Sequence, residues 1–179
     1  MREIRIHDKC FVPYISREEI ERRIGEMADQ ISEDYAGDCP ILLVMLNGAM
    51  FFAVELMKRL RIPVEVCCVK YRSYTGTRSE KMKEVIGLPE ERLKGRRVLV
   101  VEDIVDTGRT IAYLFGHLTS CGVLDAEVAA LTFKQGKYRE HIPIRYTGFS
   151  ISNEFIVGCG MDYDELGRQY PDIYQCKES

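Results

Sequence analysis

Apolar positions along this chain follow two rhythms. Over residues 16–35 they recur at helical spacing, with Ile20, Ile24, Met27, Ala28 and Ile31 on one face. Ser16 with Glu19 three residues later forms a Ser-x-x-Glu capping box, which marks the start of that helix. Gly37-Asp38 closes it. Residues 41–46 (ILLVML) contain no polar position and suit a strand buried on both faces. A second helix is predicted over 49–60, ended near Pro63, and a second strand over 64–69 (VEVCCV). A third apolar run, 98–101, precedes helical spacing at Ile111, Leu114, Phe115 and Leu118. Gly122 breaks that helix, and 126–133 forms another strand. Strands alternating with helices predict an α/β fold, a parallel sheet flanked by helices. In such sheets ligands sit beyond the carboxyl ends of the strands. The turns bearing chemistry follow strands: Asn47-Gly48, 102–110 and Lys134.

Two stretches break the alternation. Residues 71–83 (YRSYTGTRSEKMK) are polar and contain Gly76. They suit either a lid over the site or a solvated β-hairpin excursion. Beyond Ile142 short apolar runs at 149–151 and 155–157 are broken by Gly158, Gly160 and Gly167, which suggests a small hood subdomain. A single domain over 1–179 is expected, its core at about 36–140 and its hood built from the N-terminal segment and about 145–179. No segment approaches 18 uninterrupted apolar residues and no signal-like segment opens the chain. The expected setting is therefore cytoplasmic, with no membrane partner. A net charge of −3 without a basic block gives no nucleic-acid surface. The seven cysteines are odd in number and form no CxxC, so they read as reduced, mostly buried thiols rather than a disulfide or zinc framework. The three histidines show no ligand spacing.

The densest chemistry lies in VLVVEDIVDTGRTI, residues 98–111. An apolar strand, a short Gly-containing loop and a helix start make an anion site, because the first helical N–H groups are unpaired and the helix dipole favours negative charge. Gly108 allows close backbone approach, and Thr107 and Thr110 can donate hydroxyl bonds. Glu102 and Asp103, placed where the strand should end, would repel a phosphate unless a cation or sugar hydroxyls intervene. They point to ribose, Mg²⁺, or both. Asp106 inside the loop suggests a base beside a phosphorylated sugar.

This run resembles the 5-phosphoribosyl-1-pyrophosphate (PRPP) signature of the type I phosphoribosyltransferases: apolar strand, Glu-Asp, two apolar residues, Asp-Thr-Gly-x-Thr. Laid beside it, Leu46-Asn47-Gly48, Ser73-Tyr74, Lys134, the segment EFIVGCGMDYDELGR and Arg168 look like the hypoxanthine–guanine branch of that family. The resemblance implies transfer of a phosphoribosyl group from PRPP to a 6-oxopurine, with Mg²⁺ as cofactor. It implies Asp106 as general base and Glu102, Asp103, Thr107, Gly108, Arg109 and Thr110 as holders of ribose and 5′-phosphate. Leu46, Asn47, Gly48 and Arg168 would contact pyrophosphate, with a cis peptide between Leu46 and Asn47. Ser73 and Tyr74 would form the lid. Lys134, Phe155, Ile156 and Asp162 would bind the purine, and Glu102, Asp103 and Asp162 would hold metal. An ammonium donates and cannot accept, so Lys134 suits O6 of hypoxanthine or guanine and rejects the 6-amino group of adenine.

Two departures stand out. Asn47 occupies a place where the family often has Lys, and Cys159 one where an aromatic is common. A PRPP-sensing regulator, or a transferase for another base such as xanthine, are the alternatives. A homodimer or homotetramer is expected from the resemblance alone.

Overall fold

The computed structural model describes residues 2–73, 82–87 and 90–177. In chain order its elements are β1 (Ile4–Ile6), β2 (Lys9–Ile15), α1 (Arg17–Asp34), β3 (Ile41–Leu46), α2 (Ala49–Met57), β4 (Glu65–Ser73) and β5 (Met82–Ile86). Then follow α3 (Glu90–Leu93), β6 (Arg97–Val105), α4 (Arg109–Ser120), β7 (Asp125–Phe133), β8 (Tyr146–Ser150), β9 (Ile156–Val157) and β10 (Ile173–Cys176).

The main sheet has the order β5-β4-β3-β6-β7-β8. Strands β4, β3, β6, β7 and β8 run parallel, and β5 pairs antiparallel on the edge of β4. The unbroken apolar runs of β3, β6 and β7 take the centre, where both faces are covered: Ile41, Leu43, Val98, Leu99, Val100, Val128 and Leu131 have no exposed surface. Helix α1 starts on the capping box read from the sequence. The Glu19 N–H donates to Ser16 Oγ at 3.3 Å, and the Ser16 N–H donates to Glu19 Oε2 at 3.0 Å. Its buried face carries the apolar positions named above, with Ser32 added.

A second, antiparallel sheet, β1-β2-β10-β9, joins the N-terminal segment to the last part of the chain. Ile6, Phe11, Val157 and Tyr174 form its own small cluster. Ile15, Ile156, Cys159, Met161 and Ile173 belong instead to the cluster that fills the main sheet.

Several expectations needed correction. Strand β6 does not stop at Val101: Glu102, Ile104 and Val105 stay in register with Ala130, Thr132 and Phe133 of β7. Glu102 and Asp103 therefore lie within the strand, because pairing across the sheet outlasts the apolar run. Helix α4 begins at Arg109, two residues before the first apolar position, and α2 ends at Met57. The second sheet carries no clear sequence signal: β1, β9 and β10 have only two to four residues each, and Pro13 interrupts β2. The cysteines are all free, but only Cys159 is buried, and Cys68 is exposed. The apolar run containing Cys67 and Cys68 is a strand near the sheet edge, so alternate residues meet solvent. Strand β4 pairs antiparallel with β5 through Ser73 and Met82, but residues 74–81, on which the choice between lid and hairpin turns, lie outside the described residues. Tyr74 lies outside the described residues, and Ser73 ends β4. Among the described residues no helix is long and apolar enough to cross a membrane.

Candidate active site

The site is assembled at the carboxyl ends of β3, β6 and β7. Register between β6 and β7 brings their following turns side by side: the Lys134 N–H donates to Val105 O at 2.9 Å, and the Arg139 N–H to Thr107 O at 3.2 Å. The Lys134 side chain is buried and points its ammonium at Asp106, with Nζ 3.3 Å from Oδ2. Lys137, half-exposed, reaches the same oxygen at 3.6 Å. Asp106 Oδ1 is covered and has no hydrogen-bond donor among the described residues.

Gly108 caps α4 with φ +86°, in the left-handed region where a side chain is strained. A Cβ there would lie 2.3 Å from Tyr138 Cε2 and 2.8 Å from Glu140 Cγ, so the turn after β7 packs directly onto the turn after β6. The loop from Asp106 to Ile111, with Glu102, Ile104 and Val105, lines a cleft of about 110 Å³. The first-turn N–H groups of a helix point out of its end, so the start of α4, with the hydroxyls of Thr107 and Thr110, gives the cleft anion-binding capacity.

On the other side of β6 stands a second group. A Cβ on Gly48 would fall 1.7 Å from Asp103 Oδ2, so only glycine lets the turn after β3 rest on that carboxylate. The Leu46–Asn47 peptide in this turn is cis. Gly160 is equally tight, its absent Cβ 2.0 Å from Gly48 O, and this close approach lays the hood loop onto the same turn. Arg168 ties the group together. Its Nη1 donates to Gly160 O at 3.0 Å, and its Nη2 lies 2.8 Å from Asp162 Oδ1 and 3.0 Å from Glu165 Oε2. Lys70, on β4, places its Nζ 3.4 Å from Asn47 Oδ1.

Burial, together with the charge of neighbouring Asp103, holds the Glu102 carboxyl well above the usual carboxylate range. Burial also raises Asp103, against the opposing pull of the Ile104 N–H, its own N–H, Glu102 and the Arg168 charge. Glu102 Oε2 has no donor among the described residues. An orphaned buried carboxylate oxygen beside a second carboxylate is the setting a divalent cation relieves. Asp162 is otherwise engaged, accepting from Arg168 and from the Glu165 N–H at 2.8 Å. Among the described residues no three His, Cys, Asp or Glu side chains are gathered to hold a metal. Glu102 and Asp103 could supply two carboxylates to Mg²⁺, with water and substrate oxygens completing its shell.

Phe155 is a hood residue, 40% exposed, and its ring packs against Phe11 and Tyr163 at centroid distances of 5.9 and 5.4 Å. The neighbouring Glu154 carboxyl is held low first by Ser152 and also by the charge of Lys134, which links this edge of the hood to the Asp106 turn. Ile156 is buried in β9, its backbone paired with Gln175. Sequence reasoning missed Lys137, Tyr138, Lys70 and Glu154. Lys137 and Tyr138 stand in a polar turn without periodicity, and Lys70 acquires its neighbour only when β4 pairs with β3.

A family model described as the phosphoribosyl transferase domain matches residues 15–164. The chain belongs to this family. A hypoxanthine-guanine-xanthine phosphoribosyltransferase from Tritrichomonas foetus is 35% identical over 165 residues, covering 92% of this chain and 90% of the relative. A hypoxanthine-guanine phosphoribosyltransferase from Lactococcus lactis is 37% identical over 160 residues, covering 89% and 87%. Among solved structures, the hypoxanthine phosphoribosyltransferase of Trypanosoma cruzi superposes with a TM-score of 0.83 at 27% identity, covering 94% of this chain and 97% of that one. A hypoxanthine-guanine phosphoribosyltransferase from Bacillus anthracis gives a TM-score of 0.81 at 28% identity, covering 91% and 96%.

Proposed function

We propose that this chain is a purine salvage transferase that moves the 5-phosphoribosyl group of PRPP to hypoxanthine and guanine, giving the nucleotide and pyrophosphate. The observation that carries this reading is the buried Lys134 ammonium 3.3 Å from the Asp106 carboxylate. It sets a hydrogen-bond donor beside a proton acceptor at the end of two paired strands, as N7–H and O6 of a 6-oxopurine require.

In the reaction the C1–oxygen bond of PRPP breaks with its electron pair leaving on pyrophosphate. Purine N9 forms the new bond to C1, and the N7 proton passes to Asp106. Positive charge develops on the ribose and negative charge on the leaving group, so positioning and electrostatic stabilisation dominate. The start of α4, with Thr107 to Thr110, holds the 5′-phosphate. Asn47, Gly48 and Arg168 face the pyrophosphate. Lys70 brings beside Asn47 the positive charge that an asparagine lacks. Phe155 stacks on the base, and the Ile156 backbone reads its edge. Glu102 and Asp103, with Asp162, would hold Mg²⁺, which would offset the negative charge of the substrate and of the leaving pyrophosphate. Residues 1–179 act as one catalytic unit, and the chain assembles as a homodimer or homotetramer.

Initial rates with hypoxanthine, guanine, xanthine and adenine, each with PRPP and Mg²⁺, test the reading. Rapid nucleotide formation from hypoxanthine and guanine and none from adenine is expected. Xanthine is included because the Tritrichomonas foetus relative carries it in its name. Tight PRPP binding without nucleotide formation from any base would instead indicate a regulator.

A further inference from the structure

Asp106 receives two ammonium groups on one oxygen. Lys134 Nζ lies 3.3 Å and Lys137 Nζ 3.6 Å from Oδ2, while Oδ1 has no donor among the described residues. Lys134 is within hydrogen-bond reach of Oδ2, while Lys137 forms an ion pair with the same oxygen just beyond that reach. The two lysines differ in surroundings. Lys134 is buried, with its side chain 6% exposed, and its stem is fixed at the end of β7. Lys137 is 39% exposed and stands in the following turn, its N–H donating to Lys134 O at 3.0 Å.

We infer that Lys137 is a positioning residue for Asp106, keeping hold of Oδ2 when an incoming purine draws Lys134 away. The inference rests on the assignment of Asp106 as the proton acceptor. Lys134 cannot serve O6 of the purine and keep its full bond to Asp106. As it turns to O6, one lone-pair position of Oδ2 opens for the N7 proton. Without Lys137 the carboxylate would then be held by no side-chain donor described here, since Oδ1 has none, and it could rotate out of line. Lys137, already paired with Oδ2 at 3.6 Å, need move only slightly to donate to it as Lys134 leaves, so the carboxylate plane stays fixed. A misplacement of about 1 Å in such a group costs as much as a hundredfold in rate.

The test compares Lys137→Met, Lys137→Arg, Asp106→Asn and the double variant Asp106→Asn/Lys137→Met in steady-state kinetics, with thermal melting of each. Lys137→Met is expected to lower kcat roughly 5- to 50-fold with the KM for PRPP within about twofold. Lys137→Arg, which retains the charge and reach, should recover most of the loss. In the Asp106→Asn background the Lys137→Met change should cost less than about twofold, since its effect runs through that carboxylate. Normal kcat in Lys137→Met alongside a crippled Asp106→Asn overturns the role of Lys137 and leaves the base in place. An equal loss in both backgrounds also overturns it. Near-normal turnover in Asp106→Asn itself overturns the base, a separate failure.

Discussion

Helix α4 has one glycine at its cap, Gly108, and one inside it, Gly116, and replacing each by alanine should have opposite consequences. Gly108→Ala sets a methyl group 2.3 Å from Tyr138 Cε2, 2.9 Å from Cδ2 and 2.8 Å from Glu140 Cγ. The tyrosine ring cannot simply swing aside. It packs edge-on against Phe133 at a centroid distance of 5.2 Å, and its hydroxyl donates to Ile142 O. Alanine must also adopt φ +86°, which costs an L-residue about 1–2 kcal/mol. Forcing a methyl into a filled space costs about 1–3 kcal/mol more. The sum centres on about 3.5 kcal/mol, or roughly 7–14 °C in Tm for a chain of this size. Displacing the turn also moves the N–H groups at the start of α4, so the KM for PRPP should rise as well. Gly116→Ala, two turns further on, meets nothing within 4 Å and sits on an exposed helical position. It should gain about 0.5–1 kcal/mol from helix propensity alone. Calorimetric melting of both variants, with initial rates against PRPP concentration, reads both effects. A Gly108→Ala protein that melts within a degree or two of wild type and binds PRPP normally would refute the packing argument.

Other expectations follow from the same geometry. Asp106→Asn should lower turnover by roughly 10²–10⁴, the range for loss of a general base, while inhibition by a ribose 5-phosphate analogue stays near normal; full turnover would remove Asp106 from the reaction. Lys134→Met should lose hypoxanthine affinity without losing PRPP affinity, and calorimetric titration showing unchanged hypoxanthine binding would displace the base pocket. The raised Glu102 carboxyl means that the folded chain retains a proton the unfolded chain has released. Its contribution to stability is therefore greatest below about pH 4.5 and declines as pH rises toward the folded-state value. Glu102→Gln should gain on wild type between pH 5 and pH 8 in urea midpoint, and a difference constant with pH would contradict this. Burial pushes the Cys159 thiol up to about 12, so iodoacetamide at pH 8 should label the exposed Cys68 and spare Cys159 until the chain unfolds; prompt labelling of Cys159 in the native protein would count against its burial.

Local interactions made much of this protein legible from its sequence. The capping box at Ser16, the apolar stripe of α1 and the unbroken runs of β3, β6 and β7 depend on residues a few places apart, so their spacing betrays them. The acids at the end of β6 and in the turn after it are also contiguous, and a glycine between two threonines at a helix start points to an anion site. Tertiary structure decided what those residues meet. The join of Asp106 to Lys134 crosses 28 positions and exists because β6 and β7 share a register. The same pairing carried β6 past its apolar run, burying Asp103 and covering a carboxylate oxygen of Glu102, which altered their ionisation. Gly48, Gly160 and Arg168 form one group only after the hood folds onto the turn following β3. Lys137 carries no pattern at all, being one lysine in a polar turn until the sheet sets it beside a carboxylate. Periodicity reports which face of a segment avoids water, whereas the partner across that face depends on the closure of long loops and is written in no short stretch of the chain.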